Sequence, residues 1–349
     1  MIISEAKEAS MNLKKGINFG GWFSQCDHSE LRYETFITED DVKQVAKWGF
    51  DHIRLPFDYE LVQNKDGTFI ESGFQRLDTF ISWCEKANLA VILDLHKACG
   101  YDFNDAETAK GNTLFQRKDL QDLFVSLWET VSARYGKNPN IAFELLNEVV
   151  EENAAEPWNQ LIKRTVLAIR KNAPTSTLIY GGIQWNSANT VKFLEAPVDE
   201  NVLFTFHMYE PLIFTHQKAH WVPGMDMNKD IFYPASMDYF RKESLPLGYK
   251  GKDITDTKGE YPCQKIMEDM VVAAFSAAKE KNVGIYCGEY GVIDQAPVED
   301  SLAWIRDLHL IFRKYNVGSA LWTYKEMDFG LTENHYEEIR DSMIKIITE

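Results

Sequence analysis

Eight short apolar runs alternate with stretches of helical periodicity along the 349 residues, and this alternation predicts a (β/α)8 barrel. Two further observations point the same way. The runs are apolar at nearly every position, as strands covered on both faces of a parallel sheet are. Polar residues also stand at the ends of most runs, where a barrel opens its active site. A doubly wound sheet is the rival architecture. It would have fewer strands and a Gly-x-Gly-x-x-Gly turn, whereas the first turn here reads Gly16-Ile-Asn-Phe-Gly-Gly21.

In order, the runs are Gly16-Ile-Asn-Phe-Gly20, Asp51-His-Ile-Arg-Leu55, Ala90-Val-Ile-Leu-Asp-Leu95 and Ile141-Ala-Phe-Glu-Leu-Leu146. Then come Thr177-Leu-Ile-Tyr-Gly181, Val202-Leu-Phe-Thr-Phe206, Val283-Gly-Ile-Tyr-Cys287 and Gly318-Ser-Ala-Leu-Trp322. The intervening segments carry apolar residues at helical spacing. Examples are Phe74, Leu77, Phe80, Ile81 and Cys84; Ile266, Met270, Val271, Ala274, Phe275 and Ala278; and Leu302, Ile305, Leu308, Phe312 and Tyr315. Thr38, followed by Asp40 and Asp41, reads as an N-cap with acids in the first turn, and Gly136 and Pro174 fall where helices should stop. Residues 1–349 therefore read as one catalytic barrel. The stretch after the sixth run is too long for an ordinary barrel loop, and it holds Trp221, Phe232, Tyr233, Tyr239 and Tyr249 among balanced charges. Residues 210–261 read as a small subdomain inserted on the active-site rim.

Composition narrows the function classes. Asp plus Glu number 53 against 37 Lys plus Arg, for a net charge of -16, which argues against nucleic acid and anionic membrane as partners. Nine Trp, 15 Tyr and 21 Phe are more than core packing needs and suggest stacking faces for a ligand. Five cysteines without a Cys-x-x-Cys pair fit free thiols rather than a disulfide framework or zinc knuckle. Acids in residues 1–8 stand where an export signal would be basic and then apolar, so a cytoplasmic location is expected unless a signal was trimmed; a monomer is expected as well.

The run ends supply the chemistry. Arg54 closes the second run, His96 the third, Asn147-Glu148 the fourth, His207-Met208-Tyr209 the sixth, Glu289 the seventh and Trp322 the eighth. Each alone has a structural explanation as a satisfied barrel-mouth residue; together at one end they do not. A barrel brings Glu148 and Glu289 face to face, and two facing carboxylates are the minimal equipment for glycoside hydrolysis. A metal hydrolase built on His96 and His207 lacks His-Glu-x-x-His and a first-strand His-x-His. A serine esterase lacks its Gly-x-Ser-x-Gly elbow, and Asp328-Phe329-Gly330 has no other kinase element beside it.

These residues resemble glycoside hydrolase family 5, the cellulase-type barrel family, from about Gly16 to Gly330. The strings Gly16-Ile-Asn-Phe-Gly-Gly-Trp22, His52-Ile-Arg-Leu-Pro-Phe-Asp-Tyr59, Phe143-Glu-Leu-Leu-Asn-Glu148, Cys287-Gly-Glu-Tyr-Gly291 and Lys325-Glu-Met-Asp-Phe329 look closest to its single-domain clostridial endoglucanase type, which also carries a subdomain after strand six. The resemblance implies a retaining double displacement with Glu289 as nucleophile and Glu148 as acid/base. It implies that Arg54 and Tyr209 hold Glu289, that Asn147 donates to the sugar 2-hydroxyl, and that His96 and His207 bind sugar or orient the carboxylates. No metal or organic cofactor is expected. Trp322, Trp22, Trp185 and Trp221, with Tyr101 and Phe57, are the expected stacking platforms. The expected partner is β-1,4-glucan or mixed-linkage β-1,3-1,4-glucan, or a gluco-oligosaccharide. Mannan, exo action on β-1,3-glucan and a non-catalytic glycan-binding barrel are the alternatives. In one departure Lys97 stands where many members have a second His, which bears on subsite contacts and pH response.

Overall fold

The computed structural model describes residues 11–105 and 111–349; the acid-rich residues 1–8 lie outside them. Eight parallel strands close into a barrel in sequential order: β1 (Lys15–Asn18), β2 (His52–Asp58), β3 (Ala90–Lys97), β4 (Ile141–Glu144), β5 (Leu178–Gly181), β6 (Val202–Met208), β7 (Gly284–Tyr290) and β8 (Gly318–Leu321). The ring closes where Lys15 meets Ser319 and Ile17 meets Leu321. Each of the eight apolar runs overlaps one of these strands.

β2 is longer than its apolar run. Pro56, which has no N–H to give, would ordinarily end a strand. Its neighbours explain why it does not. In a parallel ladder alternate residues bond to alternate neighbours. Phe19 N–H donates to the Arg54 carbonyl and Asp58 N–H donates to that of Phe23, so Pro56 faces the β1 side. There β1 has already ended, and the absent N–H costs no ladder bond.

The predicted helical stripes are buried against this barrel on Glu71–Lys86, Gln264–Glu280 and Val298–Tyr315. Thr38 caps Glu39–Lys47 reciprocally with Asp41, whose carboxylate takes the Thr38 N–H at 2.7 Å. The β5–β6 connection departs from the repeat, with only a 3-10 helix at Ala188–Phe193. Thr190 Oγ1 takes the Ile183 N–H at 3.1 Å and approaches the Ile183 and Ser187 carbonyls at 2.8 Å. Such side-chain bonds compete with a helical ladder and keep the turn short.

The stretch after β6 folds into short helices at Leu212–Thr215, Met237–Ser244 and Lys252–Thr255. It is fastened to the barrel's outer layer. Tyr233 donates its hydroxyl to Asp307 at 2.8 Å and its N–H to Asp300 at 2.9 Å, both on the Val298–Tyr315 helix. Trp304 of the same helix donates to the Glu210 carbonyl at 3.0 Å. Among the described residues the five cysteines are unpaired, and no helix is long and apolar enough to cross a membrane.

Candidate active site

The centre of the barrel mouth is built on one cation. Arg54 projects inward from β2 and is fully buried, and burying a guanidinium is tolerable only with every N–H satisfied and the charge balanced. Both conditions hold. Nε and Nη2 grip Glu144 at 2.7 and 3.0 Å; Nη1 donates to Glu289 at 2.8 Å and Asn18 at 2.9 Å; Nη2 also donates to Asn147 at 2.8 Å. The Asp94 carboxylate is 3.1 Å from Nη2. Burial alone would lower the guanidinium pKa, but the three carboxylates hold it well above its ordinary value.

Glu289, on β7, receives a second donor from the Tyr209 hydroxyl at 3.0 Å. Glu148, four residues beyond β4, has no cation in direct contact; His207 Nδ1 lies 2.8 Å from its Oε1 and 3.6 Å from Glu289 Oε2. Burial first, and the Glu289 charge second, hold the Glu148 carboxyl well above the usual carboxylate range. Burial also raises Glu289, but Arg54 opposes it, so the proton shared by this pair sits on Glu148. An oxygen of each carboxyl and the His207 nitrogen all lie within 4.8 Å of one another.

The two histidines are neutral, with tautomers fixed by their neighbours. Burial lowers His96 to about 4 and His207 well below its ordinary value. His96 Nδ1 meets Asp94 Oδ2 at 2.6 Å, and its Nε2 faces the Asn147 amide at 3.3 Å, so Nδ1 carries the hydrogen. His207 Nε2 faces the Asn186 amide at 3.4 Å, which likewise puts its hydrogen on Nδ1, toward Glu148.

Arg54, His96, Asn147, Glu148, His207, Tyr209 and Glu289 therefore converge, although Arg54 lies inside β2 and not at its end. Trp322 joins them, its ring parallel to that of His96 with centroids 5.7 Å apart. Gly20 makes room for this ring, since a β-carbon there would come within 2.8 Å of Trp322 Cη2. Trp185 is half-buried on a left-handed run (φ 52, 56 and 53° at Gln184, Trp185 and Asn186), with Lys250 Nζ of the insertion 4.9 Å from its ring. Trp221, also on the insertion, is 45% exposed.

Three expected platforms are core residues instead. Trp22 is 3% exposed, stacks on Phe23 at 3.9 Å and donates its indole N–H to the Tyr33 carbonyl at 3.0 Å. Phe57 is fully buried against Trp128. Buried Tyr101 brackets the Glu148 loop, its hydroxyl 3.0 Å from the Glu148 carbonyl and accepting the Val150 N–H at 2.8 Å. Phe57 lies on the face of β2 opposite Arg54, against the helix layer, while Trp22 and Tyr101 are held in the loops after β1 and β3 by their own hydrogen bonds. Trp22→Ala is accordingly expected to cost about 3–5 kcal/mol of stability and leave KM unchanged. A raised KM with an unaltered denaturation midpoint would return Trp22 to the cleft. Lys97 pairs with Asp102 at 3.2 Å and Glu60 at 3.8 Å.

Sequence reasoning missed Glu144, Asn18 and the charge-balancing role of Asp94. The signal was present: a carboxylate inside a run apolar on both faces has no reason to be there without a buried cation.

The family model described as Cellulase (glycosyl hydrolase family 5) matches residues 12–328. Cellodextrinase A of Ruminococcus flavefaciens is 38% identical over 340 residues, covering 97% of this chain and 94% of that protein. Endoglucanase C of Acetivibrio thermocellus is 36% identical over 342 residues, covering 97% and 98%. Two solved structures share the fold at 22% identity. Cellulose synthase subunit Z of Clostridioides difficile has a TM-score of 0.76 and covers 97% of this chain and 100% of that one. Thermotoga maritima Cel5A, solved with cellobiose, has a TM-score of 0.75 and covers 96% and 97%. With a matching family model and near-full-length relatives above 30% identity, the chain belongs to glycosyl hydrolase family 5, the cellulase family.

Proposed function

We propose that the protein is a retaining endo-β-glucanase cleaving β-1,4-glucan or mixed-linkage β-1,3-1,4-glucan by double displacement. The observation that carries this reading is the asymmetry of two adjacent carboxyls. Glu289 is fixed and ionised by Arg54 and Tyr209, while Glu148 beside it holds the proton. One oxygen of each carboxyl lies within 4.8 Å of the other, which supports the close, ~5–5.5 Å carboxyl spacing of retaining enzymes.

Glu289 attacks the anomeric carbon while Glu148 protonates the departing oxygen. The Tyr209 hydroxyl, whose own pKa is raised by burial and by Glu289, keeps its proton and steadies the attacking carboxylate. Forming the glycosyl ester removes the negative charge of Glu289, so the Glu148 pKa falls and Glu148 accepts a proton from the incoming water. Asn147, held by Arg54 and His96, is placed to donate to the 2-hydroxyl as positive charge develops on the sugar. Trp322 offers a stacking face beside the reaction centre. Trp185 and Trp221 are platforms farther along the cleft. The printed names of the two relatives, an endoglucanase and a cellodextrinase, support a glucan substrate.

Proton NMR during the first minutes of hydrolysis is expected to show the β-anomer accumulating before mutarotation; an α-anomer formed first would overturn the retaining mechanism. Substrate choice is tested by product profiles on carboxymethylcellulose, barley-type β-glucan, laminarin and mannan. Internal cleavage of the first two is expected, and activity confined to mannan would replace the glucan assignment.

A further inference from the structure

A second convergence of donors lies on the loop leaving β1 and the end of β2, and it shares no residue with the Glu148–Glu289 pair. His28 Nε2 is 3.2 Å from Asp58 Oδ2. Glu60 follows two residues later in the Tyr59–Leu61 turn, and one donor atom from each of the three residues lies within 4.8 Å of the others. Asp58 is only 3% exposed, yet its Oδ1 has no hydrogen-bond partner, and neither does the equally inaccessible Glu60 Oε2. A buried carboxylate oxygen without a donor is costly, and two in one cluster call for a common cation.

The surroundings fit that cation. His28 adopts a left-handed backbone (φ 53°) that turns its ring toward Asp58. The Tyr33 hydroxyl lies 2.7 Å from Nδ1, the outer hydrogen bond that orients a metal-bound imidazole. Lys97, which also approaches Glu60, is closer to Asp102, at 3.2 against 3.8 Å. The Cys26 thiol sits on the Nδ1 side of the ring at 3.8 Å and approaches the Trp22 carbonyl, away from the proposed ion.

We propose that His28 Nε2, Asp58 and Glu60 form a divalent metal site, with one imidazole and two carboxylates best matching zinc. Zinc holds such donors at ~2.0–2.2 Å, so the cluster closes slightly around the ion. The ion fastens the β1 loop to the end of β2 and takes no part in hydrolysis.

The full chain, stripped with chelator, is titrated with zinc chloride by calorimetry. One equivalent should bind. His28→Asn and Glu60→Gln should each abolish the saturable step, and Tyr33→Phe should weaken it about tenfold. Cooperative melting of each variant establishes that the fold survives. Cobalt substitution should give visible bands of an N/O donor set; a strong thiolate-to-cobalt band would place Cys26 on the metal and overturn the assignment. Absence of stoichiometric zinc binding would overturn it as well. So would binding that survives both ligand variants but disappears in Glu148→Gln, since Glu148, His207 and Glu289 also present donors within 4.8 Å.

Discussion

Glu289→Gly is expected to lower turnover of an activated aryl β-glucoside by about 10⁴-fold, an effect of the size seen when a residue acting as part of a catalytic unit is removed. That loss corresponds to about 5.4 kcal/mol of transition-state stabilisation. The fold should survive, because Arg54 retains Glu144, Asp94, Asn18 and Asn147. The space vacated lies on the face from which the anomeric carbon is attacked. Azide entering there, with an activated aryl leaving group that departs without protonation, should restore activity and yield the α-glycosyl azide. Turnover close to wild type would remove Glu289 from the nucleophile role. A β-azide product would assign the two carboxyls the other way round.

The second large effect is on stability. Arg54→Met keeps the volume of the side chain and removes its charge, leaving Asp94, Glu144 and Glu289 buried without a counter-ion. Breaking a buried pair from one side costs about 3–5 kcal/mol. The pH dependence has a definite sign. Burial already raises Asp94 to about 7 and raises Glu144, so the folded state binds protons that the unfolded chain, with carboxyl values near ~4, has released. Stability from these groups is therefore greatest below pH ~4 and falls as pH rises toward 7. Without Arg54 the folded values rise further. Denaturation midpoints should show a gap between wild type and variant that widens from pH 4.5 to 7.5; a gap that stays constant would mean that Arg54 does not balance this charge.

The barrel was legible because a parallel sheet covered on both faces leaves an unmistakable pattern. The eight runs and the helical stripes between them are local in sequence, and the seven polar residues at the mouth follow from where those runs stop. What the pattern hides is burial at the loops. Trp22 and Trp322 both stand at the mouth end of a strand and look equivalent as sequence. Both are buried, at 3% and 7%, but their neighbours differ: Trp22 packs on Phe23, Trp83 and the Tyr33 carbonyl, whereas Trp322 lies alongside the active-site His96. Pro56 concealed the end of β2, because whether its missing N–H matters depends on where β1 stops. Glu144 was hidden among Ile141, Ala142, Phe143, Leu145 and Leu146, since its partner Arg54 is 90 residues away.

That separation in sequence also orders the assembly of the site in time. Arg54 reaches Glu144 across 90 residues but Glu289 across 235, and Asn18 meets the Gly288 carbonyl across 270. During synthesis the guanidinium can thus lose its positive isolation to Glu144 well before the nucleophile has been made. Glu289 enters only with β7, and the ring is sealed only when β8 docks on β1. Pairings this distant are slow to form. In a refolding chain, hydrolytic activity should therefore appear after helical signal and compactness, as a late chemical reporter of barrel closure.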